Sequence, residues 1–477
     1  MTDGATRVGD TADGLTLRGW AVDPSSGHEG AAEVEVHEGL LTRLTWLTGA
    51  AAEGLGSRGT LILPGLVDIH AHFREPGNED AETVASGMAA AAHGGFSTVA
   101  LMPNTMPAID EPSVVARVRA AAAASGSPVR VLVHGAVTAG RKGETLSAMG
   151  ELADAGVVGF SDDGAPVRSA SILRNALAYA GALGLPVIDH PEDPSLTEGA
   201  EASEGYVATV LGLKGWPVAA EAGSVARSIA ILADVIRDVP GARLHLTHVS
   251  TAAGLDHVRA AKAAGLPVSC DVTPHHLAFT DEWIAGARRW AWEALDADGR
   301  AGDPWTEHAI VAPPFDTALR VNPPLRSATD AAACLAGLRD GTADAIATDH
   351  APHTEVDKHV EFGWAINGIS GLETALGIVL AAVASGGVPL ARAIEALTTG
   401  PAGVLGAAGL AGGGVAGLRE GEPADLVVVD AAAGWTVTAD ALASKGKNTP
   451  LLGRELLGVV RLTLAGGRVA YLADEPA

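Results

Sequence analysis

Between Leu61 and about Gly400 the chain repeats one pattern eight times: a short apolar, β-branched run followed by a longer Ala-rich amphipathic stretch. Such alternation puts the strands parallel, because a helix carries the chain back to the start of each next strand. The strand candidates are Leu66 to His72, Phe96 to Met102, Val129 to Val137, Val157 to Asp162, Pro186 to His190, Arg243 to Val249, Pro267 to Thr273 and Ala343 to Asp349. A representative helical stretch, Glu79 to His93, is closed by Gly94 and Gly95, the residue type that best tolerates the turn after a helix. Eight strand–helix units in a row predict an α/β fold of the (β/α)8, TIM-like barrel type, with a doubly wound open sheet as the competing architecture.

The flanks have another texture. Residues 1–60 and 406–477 carry alternating runs such as ADLVVVD and VVRLTLAGGRVAYL, which read as β-hairpins. Their likeness across the intervening 61–405 predicts a small composite β-sandwich domain built from both chain ends. Residues 281–314 hold four of the nine tryptophans and read as an insertion before the eighth unit: a lid, a partner surface or plain packing.

Composition excludes several classes of function. With 47% hydrophobic and 19% charged residues the 477-residue chain is not disordered. A net charge of −25 leaves no basic footprint for nucleic acid or an anionic membrane. Two distant cysteines, Cys270 and Cys334, rule out a disulfide framework and a cysteine-rich zinc module, and fit a cytoplasmic protein. The opening MTDGATRVGD has early charges and no apolar run after them, so no secretory signal is expected. The best uncharged apolar run, Thr374 to Ala391, is broken by Gly, Ser and Pro and reads as a buried helix with its loop.

The strand ends carry the chemistry. His70 and His72 are two residues apart at the end of the first strand, so alternation sends both imidazoles to one side, and Pro76 and Gly77 end the strand there. Further ends supply Asp162 and Asp163, Asp189 and His190, His248, and Asp349, His350 and His353, where a buried strand would ordinarily carry Val, Ile or Leu. Imidazoles and carboxylates without thiolates suit Zn²⁺ or Mn²⁺, and there are more of them than one catalytic zinc uses. Two metals are expected, and a pair about 3.5–4 Å apart can activate water and polarise a carbonyl together. The chemistry expected is metal-assisted hydrolysis.

The segments LPGLVDIHAHFREPG, ALMPNT, GFSDDGAPV, VIDHPED, HLTHVST, VTPHHL, VNPPLR, ATDHAPH and NGISGLE follow one another in an order that resembles the amidohydrolase superfamily, and within it the long, class I dihydroorotases. The resemblance implies that His70 and His72 ligate one metal, His190 and His248 the second, and that Asp349 is both a ligand and the catalytic acid/base. Many relatives bridge their metals with a carboxylated lysine, but no lysine lies between Lys142 and Lys214, and Asp163 fits the aspartate-bridged version of the motif. The implied cofactor is Zn²⁺ at two per chain, with Mn²⁺ or Co²⁺ as alternatives. Substrate contacts carried over by motif are Arg74, placed to hold a carboxylate bidentately, then Asn104, Asn322, His353, Asn367 and Gly368. His134, His245, His275 and His276 read as packing or supporting hydrogen-bond residues.

The implied reaction is the reversible cyclisation of N-carbamoyl-L-aspartate to L-dihydroorotate in pyrimidine (UMP) biosynthesis, by a metal-bound hydroxide with Asp349 shuttling the proton. The competing readings are an allantoinase or hydantoinase, and a catalytically silent subunit that scaffolds aspartate carbamoyltransferase. The resemblance also implies a homo-oligomer, with aspartate carbamoyltransferase as a candidate partner.

Overall fold

The computed structural model describes residues 14–296, 298–409 and 417–473. The MTDGATRVGD reading, the outer parts of both flanks and position 297 of the insertion lie outside the described residues.

All eight expected strands form, each shorter than its sequence candidate: Leu66–Ala71, Phe96–Leu101, Arg130–Val133 with Gly135–Ala136, Phe160–Ser161, Val187–Asp189, Leu244–Leu246, Val268–Val272 and Ala345–Ile346. The first three runs pair in parallel as one ladder, and Gly135–Ala136 opens a second parallel ladder that continues in chain order to Ala345–Ile346. A parallel bridge joins Ala71 to His350, and the His72 N–H donates to the His350 carbonyl at 2.8 Å. The end of the eighth strand therefore lies beside the end of the first. Leu66–Ala71 and Phe96–Leu101 are buried at every position, as expected for parallel strands covered by helices.

The helix expected over 79–93 runs only over Val84–His93. Thr83 stops it: its hydroxyl accepts from the Ser86 N–H at 3.1 Å while the Ser86 hydroxyl accepts from the Thr83 N–H at 3.0 Å. Glu82, just outside, is engaged by the hydroxyl of Ser444 at 2.6 Å. The apolar run from Thr374 divides between helices Leu372–Ala384 and Leu390–Leu397. Among the described residues no helix is long and apolar enough to cross a membrane.

Both chain ends enter one seven-stranded sheet, in the order Arg468–Leu472, Glu455–Ala465, Leu426–Thr436, Thr60–Pro64, Leu15–Asp23, His28–His37 and Leu40–Trp46. Thr60–Pro64 is the seam, antiparallel to Leu426–Thr436 and parallel to Leu15–Asp23. The insertion is a packed layer. Trp283 is 0% exposed, with Phe279 at 4.3 Å between ring centroids, and the Arg454 guanidinium lies 3.7 Å over the ring of Trp290. These rings share a core with Val437, Leu442, Leu451 and Leu456, so the insertion is clamped to the C-terminal segment.

Candidate active site

The strand ends converge as alternation requires. His70 Nε2 lies 3.2 Å from His72 Nε2, and Asp163 Oδ2 is 3.4 Å from the first and 3.5 Å from the second. The other oxygen of the same carboxylate, Oδ1, is 3.2 Å from His190 Nδ1 and 3.4 Å from His248 Nε2, which are themselves 2.9 Å apart. Asp163 thus belongs to two groups of three donors, one with His70 and His72 and one with His190 and His248. Asp349 Oδ1 closes the first group at 3.1 Å from His72 Nε2 and 3.4 Å from His70 Nε2. Asp162 points elsewhere, accepting from the Val137 and Thr138 N–H groups at 2.9 and 3.1 Å.

The outer nitrogens explain why the inner ones face each other. The Nδ1–H of His72 donates to Asn104 Oδ1 at 2.8 Å, and the Nε2–H of His190 donates to Glu192 Oε2 at 2.9 Å. Each bond fixes a tautomer and leaves a lone pair on the inner nitrogen. Lone pairs aimed at one another across about 3 Å repel unless a cation lies between them, so the donor set fits divalent metal.

Electrostatics agrees. Burial opposes charge on His70, but Asp163 and Asp349 override it and raise its pKa to about 9. On His190 burial is overridden by Asp163 and Glu192, which raise it to about 10. Burial would likewise lift Asp163 and Asp349, yet the surrounding imidazoles hold both below the usual carboxylate range. The carboxylates draw positive charge from protons on the histidines, and a divalent cation supplies the same charge in exchange.

The residues read as substrate contacts gather on two sides. Arg74 donates from Nε to the Pro352 carbonyl at 3.1 Å, with Nη2 3.1 Å from His353 Nε2, which also lies 2.8 Å from the Asn367 carbonyl. Gly368 packs so closely that a Cβ there would sit 2.6 Å from the Ala351 carbonyl oxygen. Asn322 lies on the His190 side, donating to Glu192 Oε2 at 3.1 Å, with its Oδ1 buried and unpartnered among the described residues. Asn104 Oδ1 is engaged by His72. Sequence reasoning missed Glu192 and Asp271. A carboxylate two residues after His190 at a strand end was the available signal for the first, and an acid inside the apolar run of the seventh strand for the second.

The four histidines read as supporting residues are buried. His134 bonds the Ile69 carbonyl at 3.1 Å, His276 the Pro323 carbonyl at 3.1 Å and His245 the Asp271 carboxylate at 2.8 Å. A cavity of about 560 Å³ lies at the opposite, N-terminal ends of the strands, lined by Pro186, Arg243, Pro267 and Asp344, and shares no residue with the cluster.

Solved structures share the fold. The chain is similar to the solved L-hydantoinase (dihydropyrimidinase) from Arthrobacter aurescens, with a TM-score of 0.77, 23% identity and 97% of each chain covered. It is also similar to a D-hydantoinase, at a TM-score of 0.71 and 21% identity, over 96% of this chain and 94% of that one. Sequence then separates it from those neighbours. Residues 59–253 match the dihydro-orotase-like family. Proteins named dihydroorotase are 44% identical over 96% of this chain and 97% of their own in Anaeromyxobacter dehalogenans, and 43% identical over 95% and 97% in Pelotomaculum thermopropionicum. The chain belongs to the dihydroorotase family.

Proposed function

We propose that this protein is a metal-dependent cyclic amide hydrolase that interconverts N-carbamoyl-L-aspartate and L-dihydroorotate in pyrimidine biosynthesis. The observation that carries the reading is the Asp163 carboxylate, one oxygen facing His70 and His72 and the other facing His190 and His248. His70, His72, Asp163 and Asp349 would hold one ion, and Asp163, His190 and His248 a second; the donor set suits Zn²⁺, with Mn²⁺ or Co²⁺ as alternatives. When bound, such ions supply Lewis-acid polarisation of a carbonyl and a water made acidic near neutral pH.

The chain's own residues do the rest. Asp349, held ionised and set against His72, takes the proton from the attacking water in the hydrolytic direction and delivers it to the departing ring nitrogen. Ring closure reverses the transfer. Arg74 and His353 hold the substrate carboxylate beside Asp349, since the guanidinium donates along a plane and keeps its charge, with its pKa at about 10 despite burial. Asn322, the Asn367 carbonyl and the Gly368 backbone contact the ring, and Asn104, whose Oδ1 is engaged by His72, contacts the substrate through its amide nitrogen.

The finer architecture belongs to the same proposal: a closed (β/α)8 barrel over 61–405, and a β-sandwich from 1–60 and 406–477. The Ala71–His350 bridge supports closure. The sandwich is supported by Val34 and Leu464, which share one core although their strands are four places apart in the sheet, and by register shifts that bend it. Free Cys270 and Cys334 support a cytoplasmic setting. The segment before Asn367, with Val356 81% and Trp364 82% exposed, supports a protein contact, a second copy or aspartate carbamoyltransferase.

The reading is tested by supplying the purified, zinc-loaded protein with N-carbamoyl-L-aspartate, hydantoin and allantoin in parallel. Dihydroorotate formation well above either ring opening is expected. Faster hydantoin or allantoin opening would move the chain to another cyclic amidase. No turnover of any of the three would leave a scaffold role or a partner requirement, which adding aspartate carbamoyltransferase separates.

A further inference from the structure

The two halves of the cluster meet outside it, in one carboxylate that the mechanism does not use. Asp271, on the seventh strand and 0% exposed, accepts from the His248 backbone N–H through Oδ1 at 2.7 Å. Its Oδ2 accepts from the Thr247 hydroxyl at 2.9 Å and from His245 Nε2–H at 2.8 Å. The Thr247 oxygen lies in turn 2.7 Å from His70 Nδ1.

Counting protons gives this chain a direction. A carboxylate only accepts, and a threonine hydroxyl has a single proton, so that proton goes to Asp271. The Thr247 oxygen is then an acceptor towards His70, whose Nδ1 must carry the hydrogen. His70 Nε2 is left with a lone pair, pointed at the space shared with His72, Asp163 and Asp349. Threonine alone would not settle this, because a hydroxyl can equally donate to Nδ1, and the carboxylate behind it removes that choice. His245 strengthens the arrangement: the Ser269 hydroxyl, 2.8 Å from its Nδ1, donates there and leaves the Nε2–H for Asp271.

The second arm is structural. His248 sits at φ +40°, in the left-handed region that non-glycine residues avoid, and this backbone turn carries its imidazole to Asp163 and His190. The Asp271 bond to the His248 N–H holds the strained residue in place. We infer that Asp271 is a positioning residue for both metal subsites: through Thr247 it sets the tautomer of His70, and through the main chain it sets the orientation of His248. This inference rests on the metal-centre reading above.

The test measures zinc affinity of the full-length protein by competition with a chelator, alongside thermal midpoint. Thr247→Val keeps the shape and removes the hydroxyl; Thr247→Ser keeps the hydroxyl; Asp271→Asn offers N–H groups where Thr247 and His245 need an acceptor. Thr247→Val is expected to weaken one of the two zincs about 10–100-fold, Thr247→Ser to bind as wild type, and Asp271→Asn to weaken both by a similar factor. If Asp271→Asn fails to fold, the Thr247 pair decides alone. Equal affinities for Thr247→Val and Thr247→Ser overturn the relay while leaving the metal centre standing. A wild-type protein that takes up no zinc overturns both.

Discussion

Arg74 (φ +60°), His248 (φ +40°) and Asp349 (φ +47°) hold backbone conformations that ordinary side chains avoid, and all three face the candidate centre. Such conformations cost on the order of 1–3 kcal/mol each and persist where neighbours over-determine them. For Asp349 the determining contacts are its place after the eighth strand and the bond of the His350 N–H to Thr348 Oγ1 at 3.1 Å. Asp349→Asn keeps the shape and removes the base, so turnover should fall roughly 10²–10⁴-fold with an unchanged circular-dichroism spectrum. Near-normal turnover would remove Asp349 from the chemistry. Lys358 shows the reverse case, a buried charge outside the group of metal-binding donors. Its ammonium donates to the Thr317 and Arg320 carbonyls at 3.1 and 3.3 Å, and burial, with Arg320 nearby, lowers its pKa to about 7. The unfolded chain therefore binds more protons than the folded one between that pKa and the ordinary lysine value, so stability rises with pH across that interval. Lys358→Met should flatten this rise in urea midpoints measured from pH 7 to 10, an effect on the order of 3 kcal/mol; an unchanged slope would place the ammonium in water. At this scale the sequence shows which residues stand at strand ends, because alternation is local. It does not show that Asn104 Oδ1 pairs with His72 or that Glu192 pairs with His190, because those pairings depend on which outer nitrogen finds an acceptor.

At the scale of elements, apolar runs located all eight strands, but each proved shorter than its run; Leu66–Ala71, Val187–Asp189 and Leu244–Leu246 stop short of His72, His190 and His248 of the cluster. The first helix starts late for the same kind of local reason, the Thr83–Ser86 cap, which hydrophobic periodicity does not register. The tryptophan-rich insertion was legible as an interruption and as plain packing among its readings, but its packing partner was not, since the segment from Val437 to Leu456 is more than a hundred residues away in the chain. Its energetic centre is Trp283. Trp283→Ala should lower stability by about 3–5 kcal/mol, read as a shift in denaturant midpoint, through loss of a fully buried ring that also underlies Arg454. A shift below about 1 kcal/mol would mean that the insertion is not part of the core.

For the whole molecule, the parallel ladders bring residues from 70 to 349 to a single point, and a separate sheet joins the two ends of the chain. The chain carries a net charge of −25, yet its most consequential acids, Asp163 and Asp349, are surrounded by imidazoles in a setting fit for cations. The composite sheet was legible from the likeness of the flanks, and its seam, Thr60–Pro64, was not, because a central strand is identified by its partners rather than by its own pattern. The proposed reaction makes dihydroorotate formation depend on metal held by this cluster. It is tested most directly by stripping the purified protein with a chelator and titrating zinc back while following dihydroorotate formation from N-carbamoyl-L-aspartate. Negligible activity is expected after stripping, with a rise that levels off at two zinc ions per chain. Full activity in demonstrably metal-free protein would contradict it.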